Sequence, residues 1–262
     1  MRHAYFLFIW IFSVAMIGPA AAGSVTALDP AGASRVVTVI DGDTVILADR
    51  REVRLVGIQA PKLPLGRRNF KKWPLADEAK TALEKLCLDQ TVTLYQGGAG
   101  MDRHGRVLAH LVRDDGLWIQ GAMLRQGMAR VYSFPDNRAA VAELLAEEKA
   151  ARAEGAGLWT HPYYDLHDAG SVADALDTFQ IVEGRVVDTA RIKGRVYLNF
   201  GPNWRTDFTV SLDRKADKMF QAVGIDPLAL KGRDIRVRGW VRQRNGAMIE
   251  ATHPEQIEIL ER

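Results

Sequence analysis

Residues 36–61, VVTVIDGDTVILADRREVRLVGIQAP, constrain this chain more than any other stretch. Apolar residues come in short runs broken by Asp, Gly and Arg, which predicts three consecutive strands over 36–40, 44–47 and 53–58. Asp41-Gly42-Asp43 between the first two signals a tight hairpin, because such turns ask for positive φ and Gly and Asp tolerate it best. One turn therefore carries two carboxylates, Asp41 and Asp43, and the third strand carries a cation, Arg54. A carboxylate pair and a guanidinium on one small sheet can hold a metal ion and a phosphate.

The rest of the chain extends this start. Residues 62–72 carry Lys62, Arg67, Arg68, Lys71 and Lys72 with no acid and no regular period. They read as a basic loop, either in contact with phosphates or simply solvated. Pro74 fits the first turn of a helix whose inner face is Ala79, Ala82, Leu83 and Leu86. A strand over 90–95, a turn at His104-Gly105 and a strand to Leu111 follow. Leu117, Gly121, Leu124 and Met128 share a second helix face; 131–132 is a short strand. Asp136 or Asn137 can cap a third helix running through Ala151. Residues 161–178 lack a period and are expected to be a linker. Beyond it, strands are expected over 181–187, 195–200, 206–212, 234–241 and 247–251, with a helical patch over 215–223. Five strands with a helix after the third is the order of an OB-type barrel.

The N-terminus has its own signal. Arg2 and His3 precede an apolar run over 4–17, Gly18-Pro19 breaks it, and Ala20-Ala21-Ala22 offers small residues for cleavage. That is the order of a secretory signal peptide over 1–22, so the protein is expected to be exported, periplasmic or secreted. The run falls short of the roughly 20 residues of a spanning helix. An uncleaved N-terminal anchor is the alternative, and no other membrane insertion is expected. A net charge of +3 over 262 residues compels no polyanionic partner, so a basic surface must come from clustering. The single cysteine, Cys87, rules out an intramolecular disulfide, and the six histidines lack metal-ligand spacing.

VIDGDTV, then RLVGI-x-AP, then DRHGRVLAHL, then a Gly-bearing helix and a last helix ending in GLW make an ordered set. Over about residues 35–160 it resembles the staphylococcal-type thermonuclease (micrococcal nuclease-like) family. The resemblance implies a five-stranded OB-type barrel with three helices, and calcium-dependent endonucleolytic cleavage of DNA and RNA phosphodiesters. The whole chain is then α+β and mainly β: a lead segment over 23–34, this barrel over 35–160, and a smaller OB-like barrel over 179–262. The resemblance also implies roles. Asp43 is a Ca²⁺ ligand, Asp41 a nearby acid, and Arg54 and Arg106 grip the scissile phosphate. Two positions depart from the family pattern. Gln59 stands for a calcium-binding aspartate and Lys62 for the glutamate assigned as general base. Gln59 offers an oxygen without charge. An ammonium 4 Å from a divalent ion repels it by about 8 kcal/mol at an effective dielectric near 20. A protonated lysine also cannot take a proton from the attacking water. Hydrolysis is expected to be weak or lost, with phosphate binding kept by Arg54, Arg106 and Lys62.

Residues 235–244, IRVRGWVRQR, supply a second feature. A strand period of two puts Arg236, Arg238, Trp240, Arg242 and Arg244 on one face. With Tyr197, Trp204 and Phe208 as further platforms, it matches the basic, aromatic grooves in which OB barrels hold single strands; the plainer reading is a solvated barrel face. The expected partner is nucleic acid, single-stranded DNA or RNA, or another phosphodiester. A non-catalytic binding OB protein and an envelope protein-interaction module are the competing readings.

Overall fold

The computed structural model describes residues 24–261, so the expected signal peptide over 1–22 lies outside the described residues. In chain order the first part comprises β1 (Asp29–Asp41), β2 (Thr44–Leu47), β3 (Glu52–Leu55), β4 (Ile58–Gln59), α1 (Ala76–Cys87), β5 (Thr91–Gln96), β6 (Val107–Arg113), α2 (Ile119–Arg125), β7 (Arg130–Val131) and α3 (Val141–Ala153). The strands have one apolar side. In β3, Val53 and Leu55 are buried while Glu52 and Arg54 are only half-buried. That side turns inward as β1-β2-β3-β6-β5 close into a barrel, with β3 and β6 parallel and the other neighbours antiparallel. Val36, Val45, Leu55, Leu94 and Leu111 fill its interior, and Leu83, Met123 and Leu144 bring α1, α2 and α3 into the same core.

Local geometry corrects several expectations. Neither Gly42 nor Asp43 has positive φ. Glycine is required by packing instead: a Cβ on residue 42 would lie 2.6 Å from the Ala60 Cβ and 2.9 Å from the Ala79 Cβ of α1. The lead segment 23–34 is partly strand, since β1 begins at Asp29 and pairs with β5. Helix α1 starts at Ala76 behind Leu75 (φ 61°), and α3 starts behind Ala140 (φ 57°) with no side-chain cap. Asn137 donates instead to the Ala99 carbonyl at 3.1 Å.

The second part comprises β8 (His167–Asp168), β9 (Phe179–Arg185), β10 (Asp188–Ile192), β11 (Arg195–Asn199), β12 (Thr209–Leu212), α4 (Arg214–Ala222), β13 (Asp234–Arg244), β14 (Gly246–Glu250) and β15 (Ile257–Leu260). The strand order is β10-β11-β12-β14-β13-β9-β8, with β15 also on β13. Strands β12 and β14 run parallel, as β3 and β6 do. Counting β9 and β10 as one strand bent at Val186 and Val187, the order repeats that of the first barrel, although the ladder itself stays open. Val182, Leu198, Val210, Phe220, Val237 and Ile249 belong to a separate core.

The expected linker 161–178 is docked rather than a free spacer. Strand β8 pairs with β9, Val172 enters the second core, and the Tyr164 hydroxyl donates to the Pro74 carbonyl at 2.6 Å. Further polar contacts join the two parts. Arg238 of β13 is 1% exposed and meets Glu148 of α3 at 2.9 Å and Glu258 of β15 at 2.7 Å. Ser133 Oγ lies 2.7 Å from His253 Nε2, and Arg138 forks onto Glu255. Among the described residues no helix is long and apolar enough to cross a membrane.

Candidate functional site

The turn after β1 buries Asp43 completely. Lys62 Nζ lies 2.6 Å from each of its carboxylate oxygens. Arg54 Nη2 lies 3.2 Å from Oδ2, and the Ala60 N–H donates to the same oxygen at 2.7 Å. Asp41 sits alongside. Its Oδ1 accepts the Asp43 N–H at 3.1 Å, and its Oδ2 is 3.4 Å from Lys62 Nζ. Burial opposes the charge on Asp43, but the Arg54 and Lys62 charges and the Lys62 and Ala60 hydrogen bonds outweigh it. They hold this carboxyl below the usual range. Asp41 moves the other way: burial and the Asp43 charge raise it, against the pull of Lys62 and Arg54.

Arg54 leaves β3 on its outward side. Its Nη1 donates to the carbonyls of Leu55 at 2.7 Å and Asp43 at 3.2 Å, and its Nη2 to that of Ile58 at 2.7 Å. These bonds commit both Nη groups and fix the guanidinium against the turn. Arg106 is held on one edge by Asp102, which accepts from its Nε at 2.8 Å and lies 2.7 Å from its Nη2. Asp102 also accepts the backbone N–H groups of His104 and Arg106, so one acid shapes the turn and aims the arginine. Both arginines line a single cleft of about 550 Å³, with Arg103, His104, Tyr132 and Phe134 among its walls. Lys62 does not line that cleft; it is committed to Asp43. The expected group of three cations around one phosphate is therefore two arginines, with the lysine turned into the carboxylates. The sequence reading missed Tyr132 and Phe134. Two aromatics two residues apart after a short strand are the signal that would have found them.

The other expected site residues divide. Gln59 is buried and its Oε1 accepts from Arg130 Nη2 at 3.3 Å. In the basic loop, Arg67 folds back onto the Leu63 and Pro64 carbonyls and over the Phe70 ring, and Lys72 pairs with Asp77. Arg68 and Lys71 are exposed. The β13 stripe is corrected in its first half. Arg236 lies between Glu183 at 2.6 Å and Glu258 at 3.0 Å, and Arg238 is buried on Glu148 and Glu258. That half of the face meets acids from α3, β9 and β15, which the strand period could not place. Trp240 is half-buried, and Arg242 and Arg244 are exposed. Of the three further platforms, Phe208 is a core residue, Tyr197 is half-buried, and Trp204 is exposed. Burial pushes the Cys87 thiol up to about 12, so it is an inert packing group.

A model of the family described as staphylococcal nuclease homologue matches residues 52–161. An "uncharacterized endonuclease" of Escherichia coli is 35% identical over 129 residues, which is 48% of this chain and 76% of that protein. The chain belongs to the staphylococcal nuclease family. A "probable staphylococcal-like nuclease CAN1" of Oryza sativa subsp. japonica is 33% identical over 114 residues, 44% of this chain and 30% of that protein. An uncharacterized protein of Bacillus anthracis is 30% identical over 131 residues, 48% of this chain and 60% of that protein. The matched family region runs from β3 to just past α3. Asp41, Asp43 and the whole second part lie outside it.

Nucleases of the staphylococcal family are calcium-dependent in general. The donors in this chain do not fit that ion. Calcium takes about six to eight oxygens at roughly 2.3–2.6 Å. Both Asp43 oxygens already hold an ammonium, Asp41 Oδ1 holds a backbone N–H, and Gln59 faces Arg130. No group of three or more His, Cys, Asp or Glu is placed to hold a metal among the described residues. The Lys62 ammonium, equidistant from both oxygens, stands where a cation chelated by Asp43 would stand.

Proposed function

We propose that this chain is an exported, nucleic-acid-binding member of the staphylococcal nuclease family whose calcium-dependent endonuclease activity is weak or lost. One observation carries the reading of the chemistry: Lys62 Nζ is 2.6 Å from both oxygens of Asp43. The residue at the expected general-base position is a cation, and the expected metal ligand is its counterion. General-base work needs an acceptor within hydrogen-bond reach of the water. Asp41 is the neighbouring acid, and it is tied to the same ammonium. Binding is supported by Arg54 and Arg106 in one cleft beside Tyr132 and Phe134. Arg106, fixed on its Nε/Nη2 edge by Asp102, keeps its other edge for a phosphate, a strong charge-assisted contact, and Arg54 adds positive charge beside it. Export rests on the residue order over 1–22.

Incubating the purified protein with single-stranded DNA, with calcium titrated and EDTA as control, tests the reading. Little or no calcium-dependent, EDTA-sensitive cleavage is expected, with measurable binding of the uncleaved strand. Robust cleavage abolished by Asp43→Ala overturns it.

A further inference from the structure

The cleft that holds Arg54 and Arg106 has a neighbour beyond the first barrel. Tyr132 and Phe134 line it and also line a second depression of about 300 Å³ between the two parts. Phe179, Trp240 and Arg242 stand on the far side of that depression. Two side chains are common to both, so the two depressions adjoin across Tyr132 and Phe134 and together make a trough-like surface. Its aromatic walls are braced. Trp240 Nε1 donates to the Tyr132 hydroxyl at 3.0 Å, and the Tyr132 ring meets Phe134 and Phe179 edge-on, each at 4.9 Å. Phe134 is 47% exposed although it is a large apolar side chain. At the far end the Arg242 guanidinium lies over the Trp240 ring, 5.4 Å from its centroid.

We propose that this trough is a binding track for a single-stranded polynucleotide that spans both parts of the protein. A phosphate sits at Arg54 and Arg106, the next bases stack on Phe134, and a later base stacks on the Arg242–Trp240 pair. This rests on the reading of Arg54 and Arg106 as the phosphate site. The chemistry of the walls selects the ligand. Guanidinium groups at both ends suit a chain of spaced anions. The exposed Phe134 ring, and the Arg242 guanidinium stacked on half-buried Trp240, suit unpaired bases, which a duplex keeps inside its own stack. Arg242 is available for this role. Its partner Asp177 is exposed, and an exposed pair yields readily to a phosphate. The acid in the lining, Glu250, is tied to Arg195 at 2.6 Å, and Arg238 is already neutralised by Glu148 and Glu258.

Fluorescence anisotropy of the full chain with labelled oligothymidylates of about 3 and about 12 nucleotides tests the track. The readout is the ratio of the two affinities. Arg242→Glu alters an exposed side chain, and Trp240→Leu removes the distal stacking surface. Each is expected to lower that ratio roughly tenfold. A ratio unchanged in both variants, while Arg106→Ala weakens both oligonucleotides, overturns the track and leaves the phosphate site standing. Arg106→Ala without effect on either length overturns the phosphate site and the track with it. Duplex of the longer length binding as tightly as the single strand overturns the choice of ligand. A thermal melt of Trp240→Leu reports any loosening of the domain contact, and Arg242→Glu reads the track independently of it.

Discussion

Replacing Lys62 by methionine removes the ammonium and keeps most of its stem. The 2.6 Å separation from Asp43 gives an attraction of about 6 kcal/mol at an effective dielectric near 20. Desolvation of the two groups offsets much of that, and breaking one half of a buried pair costs about 3–5 kcal/mol. Arg54 at 3.2 Å and the Ala60 N–H at 2.7 Å remain on Asp43, so the lower end applies, about 3 kcal/mol. For a chain of this size that lowers Tm by about 6–12 °C. The variant also leaves Asp41 and Asp43 facing each other with no ammonium between them. Calcium at about 10 mM, against a site of about 1 mM affinity, then restores about 1.4 kcal/mol. The parent gains nothing, because its carboxylates are occupied. Thermal melts of parent and variant, with calcium and with magnesium as control, measure all of this. A parent whose Tm climbs with calcium refutes the reasoning. So does a Lys62→Met protein that melts with the parent.

Three further predictions follow from the same contacts. Arg238→Met leaves Glu148 buried beside Val131 with one partner fewer, and urea unfolding should show a loss of about 3–5 kcal/mol; adding Glu148→Leu should recover only part of it, because the Val131 N–H then loses its acceptor. Burial lowers His110 and His253 to about 4 from an ordinary 6.5, so the folded state favours the neutral rings. Their contribution is present above pH 6.5 and is lost as pH falls toward 4, at about 3 kcal/mol per histidine. Urea midpoints at successive pH values should fall across that window, and His253→Gln should flatten the fall. Gln59→Asp with Lys62→Glu puts acids at the two positions where the resemblance leads one to expect them and should raise calcium affinity by calorimetry; no change there counts against the placement of the site.

The first barrel was legible because its cues are local. Period-two runs such as Val53 and Leu55 around Arg54 specify a face, and three motifs in order carry the family resemblance that implies the barrel. That resemblance also implied that Arg54 and Arg106 share one place, although Arg54 pairs along its strand with Leu108 of β6 rather than with Arg106 itself. What stayed hidden depends on contacts between residues far apart in sequence. Strand period put Arg236 and Arg238 on the face of Trp240 correctly, yet said nothing of Glu148, some ninety residues earlier, waiting opposite. Lys62 could be read as a cation near Asp43, but its direction, into the carboxylates and away from the cleft, is decided by the fold. Gly42 shows the same limit: its residue type was read as a backbone requirement and proves to be a packing one.

The placement of Lys62 has a physical logic beyond the loss of an acid. Asp41 and Asp43 are both buried, their backbones share one tight turn, and the Asp43 charge disfavours ionisation of Asp41. Such a turn is unstable without a cation against it, whatever the protein does. A divalent ion supplies that charge only while it is bound, and it ties stability to the metal concentration. A lysine on the adjoining loop supplies it permanently. Its single charge is enough because Arg54 already contributes the other. The exchange also explains why Gln59 is tolerated: with the ammonium in place no further anion is needed, and a neutral amide satisfies Arg130 instead. The single substitution Gln59→Asp should therefore give an ion pair with Arg130 rather than a metal ligand, and calcium binding measured by calorimetry should stay unchanged until Lys62 is also replaced.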